Sequence, residues 1–120
     1  MTHTHHALDY VEIGVGDVPR AKRFYADAFG WSFHDYGPGY AGVVGPDGES
    51  EVGGLNGEGD AGPGGPLVLL YSDDLDATVT AVEAAGGSVV DPPFDFPGGR
   101  RFHFADPDGN RLGAWTTGGG

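Results

Sequence analysis

Tyr10-Val11-Glu12-Ile13-Gly14-Val15-Gly16-Asp17-Val18-Pro19-Arg20-Ala21-Lys22-Arg23-Phe24-Tyr25-Ala26-Asp27-Ala28-Phe29-Gly30 changes its period half way along. Up to Val15 the side chains alternate. Val11, Ile13 and Val15 point one way and Tyr10, Glu12 and Gly14 the other, the two-residue period of a half-buried strand. Asp17 then offers a helix N-cap, and Pro19 suits a first helical turn. Ala21, Phe24, Tyr25 and Ala28 follow at the spacing that puts them on one face of an amphipathic helix. Gly30 stops it. The stretch predicts a strand running into a capped helix.

Downstream, shorter strand-like pieces are expected at Trp31–Tyr36, Tyr40–Val44 and Glu51–Leu55, with Pro46-Asp47-Gly48 turning the chain before the last. Asn56 to Pro66 is Gly-rich and polar and reads as a linker. The pattern then begins again. Leu67–Tyr71 reads as a strand, Asp74 as an N-cap, and Leu75, Thr78, Val79 and Val82 as a second helical stripe ended by Gly86-Gly87. Strands are predicted at Ser88–Val90, Arg101–Ala105 and Arg111–Thr116, with Pro107-Asp108-Gly109 before the last. Val11 answers to Val68, Ile13 to Leu70, Asp17 to Asp74, Val18 to Leu75, Ala28 to Ala85 and Gly30 to Gly87. A strand, a capped helix, a glycine stop and an identical turn recurring in order indicate an internal duplication.

With 120 residues the chain fits one domain, expected at 8–116 as module one (8–57) and module two (66–116), between disordered tails at 1–7 and 117–120. The 24 glycines and 9 prolines gather in loops and turns. No apolar run approaches bilayer length, and the first residues have neither the basic start nor the apolar stretch of a signal peptide. A cytoplasmic location is the expectation. Zero cysteines exclude disulfides and thiolate chemistry. Eighteen acidic residues against six basic give a formal charge of −12, which repels phosphate backbones and anionic lipid. Neither nucleic acid nor membrane is expected as a partner.

Val15-Gly16-Asp17-Val18-Pro19-Arg20-Ala21, leading to Phe24-Tyr25 and Phe29-Gly30-Trp31, resembles the first strand and helix of the vicinal-oxygen-chelate superfamily, which contains glyoxalases, bleomycin resistance proteins and dioxygenases. Asp106-Pro107-Asp108-Gly109-Asn110 is similar to the turn before that family's final strand. The resemblance covers roughly residues 8 to 116. It implies an α+β fold of two tandem β-α-β-β-β modules curled into an incomplete barrel around a small-molecule cleft. It leaves the activity open, because the superfamily hosts isomerases, lyases, epimerases, dioxygenases and proteins that only sequester drugs. The implied helix-facing residues are Val11, Ile13, Val15, Val68, Leu70, Phe102, Phe104 and Leu112. The implied cleft-facing set is Tyr10, Glu12, Leu67, Leu69, Tyr71, Arg101, His103, Arg111, Gly113 and Trp115.

Metal-dependent members of the family hold a divalent ion with His or Glu from equivalent strands of the two halves. The resemblance places those positions here on Tyr10, Leu67, Gly113 and the neighbourhood of Gly53-Gly54. Leucine and glycine side chains offer a cation nothing, and neutral tyrosine is a poor ligand. No metal and no other cofactor are expected. His3, His5 and His6 lie in the expected tail and read as an adventitious cluster.

His103, between Phe102 and Phe104, is an acid/base or hydrogen-bonding candidate, its bland alternative being a half-exposed strand residue. Glu12 is a candidate base, or else a salt-bridge partner of Arg101 or Arg111. Arg100, Arg101 and Arg111 near the cleft hint at an anionic group on the ligand, against the plainer reading of surface arginines in an acidic field. Tyr10, Leu69, Tyr71 and Trp115 complete the expected ligand-binding set, with Tyr10 and Trp115 as stacking walls, while Phe29 and Trp31 fit core filling better. Gly57–Gly65 lacks the sequence that would make it a phosphate loop, and no serine stands in a nucleophile elbow. The leading expectation is metal-independent binding of a small aromatic or apolar metabolite or drug. The alternative is a metal-independent lyase, isomerase or epimerase using Glu12 or His103, and a metal-dependent glyoxalase or dioxygenase comes third. An open barrel edge also favours a homodimer.

Overall fold

The computed structural model describes residues 3–5 and 8–117. The first module runs β1 (Val11–Gly14), α1 (Val18–Phe29), β2 (Phe33–Asp35), β3 (Tyr40–Val44) and β4 (Glu51–Asn56). The second runs β5 (Val68–Tyr71), α2 (Leu75–Ala84), β6 (Ser88–Phe96), β7 (Gly99–Ala105) and β8 (Arg111–Thr117). Each module makes its own four-stranded sheet, ordered β1-β4-β3-β2 and β5-β8-β7-β6. In each, the strand that precedes the helix pairs in parallel with the last strand, and the other pairs are antiparallel. The expected duplication is therefore present as two mixed sheets with one helix each, and the sheets do not close into a barrel.

Local chemistry accounts for the helices. The Asp17 carboxylate accepts the Arg20 N–H at 3.0 Å, and Gly30 ends α1 with φ 73°. Asp74 accepts the Ala77 N–H at 3.1 Å to start α2. The stripe Val18, Ala21, Phe24 and Tyr25 is buried against Leu75, Val82, Phe102, Phe104 and Leu112. Burial of each large apolar side chain contributes roughly 1.5–3 kcal/mol. Trp31 stacks on Tyr25 with ring centroids 4.6 Å apart, on the core side as its sequence context suggested.

Three details differ from the sequence reading. β6 extends through Asp91-Pro92-Pro93 to Phe96, because its pairing with β7 shifts register on both sides of Asp91. As an edge strand it tolerates prolines that have no N–H to give. Asn56 closes β4 and does not open the linker. Val11, expected against the helices, is 40% exposed, since β1 is also an edge strand.

The turn Asp106-Pro107-Asp108-Gly109-Asn110 ties the two modules together. Asp106 is buried and accepts the Tyr25 hydroxyl at 2.8 Å, the Asp108 and Asn110 N–H groups at 2.9 Å, and the Asn110 side-chain amide at 3.0 Å. Asn110 also donates to the Gly14 carbonyl at 2.7 Å and accepts the Gly62 N–H at 2.8 Å. Asp108 accepts the Gly16 N–H at 2.9 Å and pairs with Arg20. Burial first, and then the Asp106 carboxylate, push the Tyr25 phenol far above its ordinary value. The equivalent first-module turn is exposed and purely local. There Asp47 accepts the Glu49 and Ser50 N–H groups, which lowers its carboxyl to about 2.

Candidate functional site

The sheet face turned away from the helices carries the candidate site, and its two halves differ in chemistry. On the first sheet, the Tyr10 and Tyr40 hydroxyls meet at 2.6 Å. Tyr40 donates to Glu12 at 3.0 Å, and Asn56 donates to the other Glu12 oxygen at 2.9 Å. Glu51 takes hydrogen bonds from Tyr36, from His34 at 3.1 Å and, more weakly, from Tyr10 at 3.5 Å. Two carboxylates are thus bridged by two phenols, Tyr40 and Tyr10, while a third, Tyr36, bonds Glu51 alone. Desolvation first, then the bonds to Tyr10 and Glu12, raise the Tyr40 phenol above its ordinary value.

Hydrogen bonds from Tyr36 and then His34 hold the Glu51 carboxyl below its ordinary value of 4.5. A depressed folded-state value means stability that is complete above the unfolded-state value and is lost as pH falls through the folded one. Acidification past the ordinary glutamate range should therefore detach Tyr36 and His34. Carbon-detected NMR titration should find Glu51 deprotonating below 4.5, and Tyr36→Phe should move it upward. A Glu51 that titrates at or above that value would contradict the network.

On the second sheet the face is aromatic and basic. Trp115 meets Tyr71 edge-on with centroids 5.2 Å apart and Phe96 at 6.2 Å. The Arg101 guanidinium lies 5.4 Å from the Phe94 ring and 5.2 Å from the Phe96 ring. The His103 ring meets Phe94 edge-on and bonds through Nδ1 to Asp91 at 2.8 Å. His103 Nε2 and Arg101 Nε are shut from solvent and have no hydrogen-bond partner among the described residues.

A cavity of about 610 Å³ runs along the meeting of β1 and β5 and brings Tyr10, Glu12, Leu67, Leu69 and Arg111 together beside linker residues Asp60–Pro66. His103 is not in it. With Asp91 and Arg111 it lines an adjoining cavity of about 200 Å³. Tyr71, Arg101 and Trp115 stand further along the second sheet. Glu12 meets Tyr40 and Asn56, not Arg101 or Arg111 as one reading allowed. Arg100 is paired with Asp95 at 3.7 Å and alternates away from Arg101, so it leaves the expected arginine cluster.

Sequence reasoning missed His34, Glu51, Asn56, Asp91, Phe94 and Phe96. The last three lie in the part of β6 that its prolines disguised. His34 and Glu51 sit in strands the sequence predicts, but their pairing with each other and with Tyr36 is set by the fold. A further apolar cavity of about 510 Å³ opens on the helix side, lined by Val11, Ile13, Trp31, Val52, Val68 and Leu70.

The positions at which the family holds a metal carry Tyr10, Leu67, Gly113 and Gly53-Gly54 here. A side chain at Gly54 would collide with the Tyr40 hydroxyl, and one at Gly113 would meet Leu69 at 2.5 Å and the His103 ring at 2.8 Å. Phenol, leucine and glycine occupy the places where carboxylate and imidazole are needed. Among the described residues no three His, Asp or Glu side chains are placed to hold an ion. The residues present do not fit a divalent metal.

The chain belongs to the Glyoxalase/Bleomycin resistance protein/Dioxygenase superfamily, whose family model matches residues 7–113. The anthracycline biosynthesis protein DnrV of Streptomyces peucetius is 32% identical over 127 residues, covering 91% of this chain and 46% of DnrV. The chain spans about half the length of the first curated relatives it matches. Among solved structures, TnmS3, an antibiotic binding protein from Streptomyces sp. CB03234, is 29% identical with a TM-score of 0.68, covering 96% of this chain and 99% of its own. A glyoxalase-related enzyme from Fulvimarina pelagi shares the fold with a TM-score of 0.78 at 22% identity, covering 93% and 88%. Among the described residues no helix is long and apolar enough to cross a membrane.

Proposed function

We propose that this protein binds a small, flat, largely apolar or aromatic molecule on the open sheet face, without a metal and without changing it. The observation that carries the reading is the row Tyr71, Trp115, Phe96 and Phe94 on the open face of the second sheet, with Tyr71 and Phe94 exposed and Trp115 and Phe96 half-buried between them. Aromatic surfaces of this kind stack on planar ligands. The names of two relatives, an antibiotic binding protein and an anthracycline biosynthesis protein, agree with it.

The two tryptophans make the test specific. Trp115 belongs to the open face and Trp31 to the helix-side cavity. Titration with 2-naphthalenemethanol should shift the Trp115 indole N–H resonance and leave that of Trp31 in place. A shift of Trp31 alone would move the ligand to the helix side, and no shift of either would refute the reading.

A second reading rests on the Asp91–His103 pair. A carboxylate orienting an imidazole is an acid–base device, and with Glu12 on the opposite sheet it suits a metal-independent lyase, isomerase or epimerase. The chain also reads as a homodimer, because β1 and β5 are each paired on one side only. Sedimentation equilibrium should give twice the chain mass of 12.4 kDa, and a monomer across the micromolar range would reject that.

A further inference from the structure

The protein carries a formal charge of −12 with only six Lys and Arg, so carboxylate partners are abundant. Arg20, Lys22 and Arg100 each meet one. Arg23, Arg101 and Arg111 meet none among the described residues; Arg23 lies on α1, whereas Arg101 and Arg111 stand together on the open face of the second sheet. Arg101 is half-buried between two phenyl rings with its Nε unpartnered. Arg111 sits near His103, whose Nε2 is unpartnered in turn. Buried polar groups are as a rule hydrogen-bonded, and leaving them unpaired costs stability. An acidic chain that leaves a half-buried guanidinium without a carboxylate on this face has placed a donor there for something outside itself.

Register says where that something lies. Arg101 is the direct β7 partner of Trp115 in β8, and His103 is the partner of Gly113. A ring stacked on Trp115 therefore directs a substituent toward Arg101. The opposite sheet presents Glu12 and Glu51, so an anion is accepted at this end only. We propose that the ligand of this face is an aromatic carboxylate, its ring on Trp115 and its carboxylate received by Arg101, with Arg111 further along β8 adding positive charge to the same end. This rests on the small-molecule reading above and adds the ligand's charge and orientation. Guanidinium–carboxylate bonds are charge-assisted and directional, which makes the preference local although the whole-molecule field repels anions.

Three probes of one shape test it on the full chain: 2-naphthoate, 2-naphthalenemethanol and 2-naphthylmethylammonium, followed at the Trp115 indole resonance. The carboxylate should bind at least about tenfold more tightly than the alcohol, the ammonium no better than the alcohol. In Arg101→Met the carboxylate-to-alcohol ratio should fall toward one, and in Arg111→Met it should fall by less. Equal affinities, a preference for the ammonium, or a ratio unchanged in both variants would overturn the carboxylate assignment while leaving the face a binding site. Binding of none of the three would overturn the reading of the face itself, and this proposal with it. The wild-type comparison decides the matter even if a variant fails to fold.

Discussion

Asp106→Ala should lower stability by about 3 kcal/mol, because it leaves several donors without an acceptor inside the protein. Those donors are the Tyr25 hydroxyl, the Asp108 and Asn110 backbone groups and the Asn110 amide. For a chain of this length the loss corresponds to a fall in melting temperature of roughly 12 °C by calorimetry or circular dichroism. Asp47→Ala removes a turn-bonding carboxylate from the equivalent first-module turn, where Gly45 stands at the place of Asp106 and Asp47 serves only the Glu49 and Ser50 N–H groups at the surface. It should cost far less. The contrast matters more than either value. Similar losses from both would mean that the turn is needed only for its own shape. A loss confined to Asp106 would establish that it holds the modules together through Tyr25 and Gly14. Tyr25→Phe, which deletes one donor and keeps the ring packing, should fall between the two.

Trp115→Ala should weaken binding of a neutral aromatic probe about 30-fold, near 2 kcal/mol, the scale expected when a central aromatic contact is truncated. Trp115 touches Tyr71 and Phe96, so its removal opens the middle of the aromatic row. Glu12→Gln and His103→Gln preserve size and should leave the same affinity within about threefold, since neither contributes stacking area. If instead a substrate is found and these two variants lose turnover at unchanged affinity, the acid–base reading replaces the binding one. A Trp115→Ala protein that folds and still binds the probe at full strength would refute the role assigned to the aromatic row.

Much of the fold was legible because its determinants are local. Asp17 and Asp74 start helices by bonds to residues three further on, Gly30 stops one, and alternation around Ile13 and Phe102 marks strands. Such features survive in a single sequence because the partners are close along the chain. β6 was read too short for the opposite reason: Pro92 and Pro93 are admissible only on an edge strand, and edge position is a property of the sheet.

The site was legible as a set of residues and not as an arrangement. Alternation put Tyr10, Glu12, Leu69, Tyr71, Arg101, His103, Arg111 and Trp115 on one expected face. Their partners came from strands distant in sequence: Tyr40 and Asn56 for Glu12, Asp91 for His103, Phe94 and Phe96 for Arg101. Sequence by itself determined the duplicated strand–helix modules, their caps and the acidic character. All of these follow from residue type and short-range period. Only the tertiary structure decided that the Asp106–Asn110 turn bridges the modules and that the carboxylates gather with phenols on one sheet. It alone left Arg101 and Arg111 without acid partners on the other. Those outcomes depend on which strands become neighbours, and strand pairing is settled by packing of the whole chain.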